Sequence, residues 1–250
     1  MSIGKSDQSL KQVLEWALQR MKNAGFDINS KVNITVDPNL SIMGYARQDG
    51  SVHEIVIADW ALDSEMLGGL VLHELSHIYF TERGAPSHKH EIIEQALASL
   101  NEKDGLNERE SEYMVEAFNH LQNILADDVV FSVMNEKEYK LAQRFFAGWV
   151  TDRPTGDPTS DAALLARNAF AIASLKRHSL YDERSEMASK NRVFLSMMSD
   201  DTPAKFDSLQ NFYEEAKPGW GDQEFRRVVL GFFDEMLSLM RENQKLGDLR

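Results

Sequence analysis

Cysteine is absent from the 250-residue chain. This excludes disulfides and thiolate metal sites, and leaves His and carboxylate as the ligands for any bound metal. No apolar run reaches the length of about 20 residues that a membrane helix needs. The start, MSIGKSDQSLKQ, lacks the apolar core of a secretory signal, so a cytoplasmic protein with no membrane partner is expected. Bases are scarce: 27 Lys and Arg stand against 40 Asp and Glu, for a formal net charge of −13. That balance argues against nucleic acid as a partner, because phosphate binding needs a basic face. Internal repeats and low-complexity tracts are missing too. What remains is 42% hydrophobic and 27% charged, the make-up of a globular chain long enough for a sizeable core.

Hydrophobic periodicity orders the first third. Leu10 to Met21 reads as an amphipathic helix with Val13, Trp16, Ala17 and Met21 on one side. Residues 32–36 alternate as a strand, and 41–47 and 52–58 are two further strand candidates. Gln48-Asp49-Gly50 joins the last two as a hairpin, since Asp-Gly tolerates positive φ. After Gly84-Ala85-Pro86 the pattern is helical nearly throughout: 90–100, 108–133, 138–150, 161–174, 182–197, 206–216 and 224–243. Thr151 to Ser160, with Pro154, Gly156 and Pro158, is the clearest loop. The fold class expected is α+β and predominantly α-helical, with a small antiparallel or mixed sheet.

Between the strands and the helical run lies His73-Glu74-Leu75-Ser76-His77, an H-E-x-x-H string. Two imidazoles at i and i+4 lie one turn apart on a helix, so both can reach one Zn²⁺ at about 2.0–2.1 Å. Glu74 follows the first of them, which aims it at a metal-bound water rather than at the metal. The surrounding residues support a helix of about 20 residues. Met66, Leu67, Leu70, Val71, Leu75 and Ile78 recur at helical spacing, with Asp63 or Ser64 as N-cap and Arg83-Gly84 as the stop.

With these residues in place, the chain resembles the zincin metallopeptidases, and their relatives of archaeal type, over residues 10 to about 130. The resemblance implies a zincin-like region at 1–135 and a helical lobe at 136–250. The metzincin extension is ruled out, because Phe80 and Arg83 stand where its Gly and His would be. The third ligand is then expected to be acidic, as in gluzincins and aspzincins. On the helix 108–133, Glu116, His120, Asn123 and Asp127 fall on one polar line at three- and four-residue spacing. The segment resembles the N-x-x-x-D or N-x-x-E-D helices of such proteins. That likeness implies Asp127 as ligand and Asn123 as its orienting neighbour. Ala126 replaces the ligand Glu of the second pattern, so Asp128 in a shifted register, Glu112, Glu116 and His120 stay open as alternatives. His88 and His90 are a further source of ligands, and Ser87 reads as the N-cap of the helix that follows.

These residues point to zinc-dependent hydrolysis of a peptide or protein substrate. His73, His77 and Asp127 would bind zinc, and Glu74 would act as general base towards the zinc-activated water. The strands of the hairpin would hold substrate as an added strand. Tyr79, Tyr113, Tyr139, Tyr181 and His178 are open as oxyanion partners. The competing expectations are a catalytically silent metal-binding scaffold or interaction protein, and a metal hydrolase of non-peptide amides or esters.

Overall fold

The computed structural model describes the backbone of residues 3–247 and the side chains of residues 9–241. Nine α-helices and three strands occur among the described residues, in the predominantly helical α+β arrangement expected. The chain divides into two compact units. One comprises Met1–His88 with Ala126–Ala142, and the other Lys89–Leu125 with Gln143–Arg250. Two of the boundaries, 125/126 and 142/143, fall inside helices.

The first unit holds the sheet. Strands β1 (Lys31–Asp37), β2 (Gly44–Asp49) and β3 (Val52–Ala58) lie in the order β1-β3-β2. The β1–β3 pair is parallel and the β2–β3 pair antiparallel. The Asp-Gly hairpin forms as the sequence predicts, with Gly50 at φ 59°. Central β3 is the apolar strand, and Ile55, Val56, Ile57 and Ala58 are all buried. Helices α1 (Ile3–Asn23) and α2 (Leu67–Glu82) pack against each other and against the sheet. The buried stripe of α1 is Leu10, Leu14, Ala17 and Met21, whereas Trp16 is 41% exposed. Its ring lies over Gly68, where an added Cβ would stand 3.1 Å from it.

Helix α2 starts later than its residues suggest. Met66 is its N-cap and supplies no side-chain bond. Ser64 Oγ accepts from the Met66 N–H instead, so this hydroxyl stabilises the preceding turn. The helix stops as expected at Arg83, with Gly84 in the left-handed region at φ 59°. Glu82 then ties the end of α2 to the start of β1, accepting from Asn29 N–H at 2.9 Å and Ser30 N–H at 2.8 Å.

The remaining helices are α3 (His90–Asp104), α4 (Glu108–Val133), α5 (Glu136–Trp149), α6 (Pro158–Arg177), α7 (Glu186–Ser196), α8 (Thr202–Glu215) and α9 (Asp222–Gly247). In the second unit α6 packs on α8 and α9, and α3 on α9. Asp157 caps α6 by accepting from Ser160 N–H at 2.8 Å. One turn in, Asp161 gathers the N–H groups of Thr155 and Gly156, which orders the loop before the helix. No described helix is long and apolar enough to cross a membrane.

Candidate metal centre

Helix α2 carries His73, Glu74 and His77 within the first unit. The i, i+4 spacing sets the two rings edge to face, with centroids 4.7 Å apart. Their Nε2 atoms stand 3.1 Å apart. Two nitrogens about 2.0–2.1 Å from one tetrahedral ion stand roughly 3.3 Å apart, so the spacing would accommodate a shared zinc ion, and it equally suits a hydrogen bond between the rings. Among the described residues, however, no three His, Asp or Glu side chains already surround one point. Two nitrogens converge there, and the groups beside them meet the far side of each ring.

Asp127, from the last turns of α4, meets the far side of His73. Its Oδ1 lies 2.9 Å from Nδ1. That places the carboxylate on the nitrogen opposite the converging pair, where it can accept a proton and fix the ring. His77 has a different neighbour: its Nδ1 lies 2.8 Å from Nε2 of His88. The chain returns to the helix through a 3₁₀ turn, Pro86–His88, which brings His88 back over the last turns of α2. There its ring stacks on Phe80, with centroids 5.2 Å apart, and its Nδ1 lies 2.9 Å from Ser87 Oγ. Burial lowers the His88 pKa to about 4, with the nearby His73 charge adding to the effect. Ser87 is therefore not the cap of α3, whose N-cap is Lys89 in an extended conformation.

Glu74 is buried. Desolvation pushes its pKa up, while His73 and the Ala46 N–H pull it back towards the carboxylate. Ala46 belongs to β2, so Glu74 sits against an edge strand of the sheet. Ser76 Oγ donates to Leu72 O and Thr81 Oγ1 to His77 O, which keeps these small polar residues inside the helix's own backbone.

The polar line on α4 splits. Asp127 reaches His73, whereas Glu116, His120 and Asn123 belong to the second unit. There His120 stacks on Phe170 at 4.6 Å, with Trp149 and Tyr213 edge-on around it. Burial, and then the Arg167 charge, lower its pKa to about 3, so it is a neutral core imidazole. Glu116 lies 4.0 Å from His120 Nε2 and lines an open pocket of about 720 Å³ with Glu112 and Tyr113. Asn123 and Asp128 are half-buried on α4. His90 is exposed beside Glu94 at 3.2 Å.

Of the tyrosines open as oxyanion partners, Tyr139 donates to Phe131 O. Tyr79 lies beneath the Arg83 guanidinium at 3.6 Å. Tyr113, Tyr181 and His178 lie in the second unit.

No curated protein and no solved structure matches the chain. The model of one family, described as "Family of unknown function (DUF5781)", matches residues 14–232. That span holds both motif histidines, Glu74, His88 and Asp127, and the chain belongs to this family of unknown function.

Proposed function

We propose that the chain is a zinc-dependent hydrolase of peptide bonds, with its centre on α2. The observation that carries this reading is the facing pair of Nε2 atoms at 3.1 Å. In the tautomers that donate Nδ1–H of His73 to Asp127 and Nδ1–H of His77 to His88, each Nε2 would present a lone pair. Two lone pairs so placed can share one cation; without it, the same separation is a hydrogen bond from one Nε2–H to the other Nε2. The residues that would hold zinc are therefore His73 and His77, with Asp127 as a positioning carboxylate on His73.

When bound, zinc supplies Lewis acidity, lowering the pKa of water towards about 7 and polarising a carbonyl. The chain supplies the rest. Glu74 takes the proton from the attacking water and returns it to the leaving amine. Its burial raises the proton affinity of the carboxylate, which suits a group that must accept and then release one. The Ala46 N–H keeps that carboxylate in place. Central β3 is paired on both sides, so of the two hairpin strands only β2 is an edge. An extended substrate would add along β2, beside Glu74, through backbone hydrogen bonds.

The test is zinc content and peptide-library cleavage for the wild type, Glu74→Gln and His73→Ala. Glu74→Gln is expected to keep zinc and lose cleavage by about 10²–10⁴-fold; His73→Ala is expected to lose both. Full activity in Glu74→Gln would falsify the mechanism. Zinc without cleavage by the wild type would leave a metal-binding scaffold, and cleavage of esters alone would leave a non-peptide hydrolase.

A further inference from the structure

We infer that His88, backed by Ser87, is a positioning residue of the metal centre, locking the ring of His77 in the orientation that presents Nε2 to the metal. The inference rests on the zinc reading above and goes beyond it. It assigns a role to a side chain outside the H-E-x-x-H helix, eleven residues beyond its second histidine.

Three observations meet at this imidazole. Its Nε2 is 2.8 Å from His77 Nδ1, its Nδ1 is 2.9 Å from Ser87 Oγ, and its face stacks on Phe80. The stack and the 3₁₀ turn at Pro86–His88 fix where the ring sits. The two hydrogen bonds fix how it is turned. Proton positions then follow one from another. A metal-binding Nε2 on His77 needs a lone pair, so the proton of that ring is on Nδ1 and is donated to His88 Nε2. His88 Nε2 must then be bare. The ring proton of His88 is then on Nδ1, 2.9 Å from Ser87 Oγ, which accepts it. Ser87 is buried, so water does not replace it as the acceptor. Asp127 plays the same part for His73 with a charged oxygen. The two histidines thus have unlike backing: a carboxylate oxygen behind one and an imidazole nitrogen behind the other.

The arrangement can be tested without measuring catalysis. Zinc affinity of the full chain is read by competition with a chromophoric chelator for the wild type, His88→Phe and His88→Gln. Phe keeps the stack on Phe80 and removes the acceptor, so His88→Phe is expected to weaken zinc about 10–100-fold. Gln offers Oε1 to His77 Nδ1, so His88→Gln is expected to recover most of that loss. Imidazole ¹⁵N shifts of the zinc-loaded wild type should show His88 protonated on Nδ1 and bare on Nε2, and this holds as a test even if a variant fails to fold.

Wild-type affinity in folded His88→Phe, a loss that His88→Gln does not recover, or a proton on His88 Nε2 overturns the inference alone. A wild type that takes up no zinc overturns the metal reading and this inference together.

Discussion

Removing the Asp127 carboxylate separates the two parts that this side chain could play. Its Oδ1 lies 2.9 Å from His73 Nδ1, and the His73 and Asp127 side chains are 22% and 11% exposed. A carboxylate there holds the ring and raises the basicity of the opposite nitrogen. Losing such a partner lowers metal affinity about 10–100-fold, which corresponds to about 1.4–2.7 kcal/mol. Asp127→Ala is expected to weaken zinc binding within that range. Asp127→Asn keeps an oxygen acceptor and drops the charge. A charge-assisted bond is roughly twice as strong as a neutral one, so about half of that energy is lost, or about three- to tenfold in affinity. The assay is chelator competition at fixed pH, with circular dichroism confirming that each variant is folded. A direct ligand predicts another pattern, because a neutral amide is a poor zinc donor: both variants would then lose zinc severely and alike. That result would refute the positioning role. No loss in either variant would refute any coupling between Asp127 and the metal.

Two further predictions concern the frame around the centre. Glu82 accepts two backbone N–H bonds, with His53 Nε2 3.9 Å away. Although burial opposes its charge, these partners hold its pKa below the usual carboxylate range. The stabilisation they give is therefore complete above the unfolded pKa of about 4.3 and fades as pH falls through the lower folded value. Glu82→Gln should cost about 1–3 kcal/mol at pH 7, and less in urea titrations below pH 4 or so; a penalty unchanged by pH would rule out the charge as its source. In the second unit, Tyr213 is fully buried, and its hydroxyl has no hydrogen-bond partner among the described residues. Tyr213→Phe should therefore raise Tm, by about 2–4 °C per kcal/mol recovered. A fall in Tm of that size would show that the hydroxyl is partnered after all.

Elements written in local periodicity are legible in the sequence. The hairpin at Asp49-Gly50 and α4 from Glu108 to Val133 form where their patterns place them, and the H-E-x-x-H helix forms with the expected stop but a later start, at Leu67. The polar line on α4 was legible too, but its convergence on one site was not. Helical spacing aligns Glu116, His120, Asn123 and Asp127 on one face, yet His120 and Asp127 are roughly 10 Å apart along the axis. That distance is enough for one to sink into an aromatic core while the other meets His73. Trp16 lies on the expected side of α1, with its ring over Gly68 of α2, yet it stays 41% exposed because the partner helix covers only part of that side.

Sequence alone determined the two imidazoles and the carboxylate on one helix, because 3.6 residues per turn leave no other arrangement for i and i+4. Tertiary structure decided what stands behind each imidazole. The contacts of Asp127 and His88 span 54 and 11 residues of chain, and such distances are closed by turns and packing, not by periodicity. The resemblance implied Asp127 as a metal ligand, whereas the fold places its carboxylate on His73 Nδ1. His88 was visible as a histidine near a turn; its place on His77 depended on the 3₁₀ turn at Pro86–His88 and the stack on Phe80.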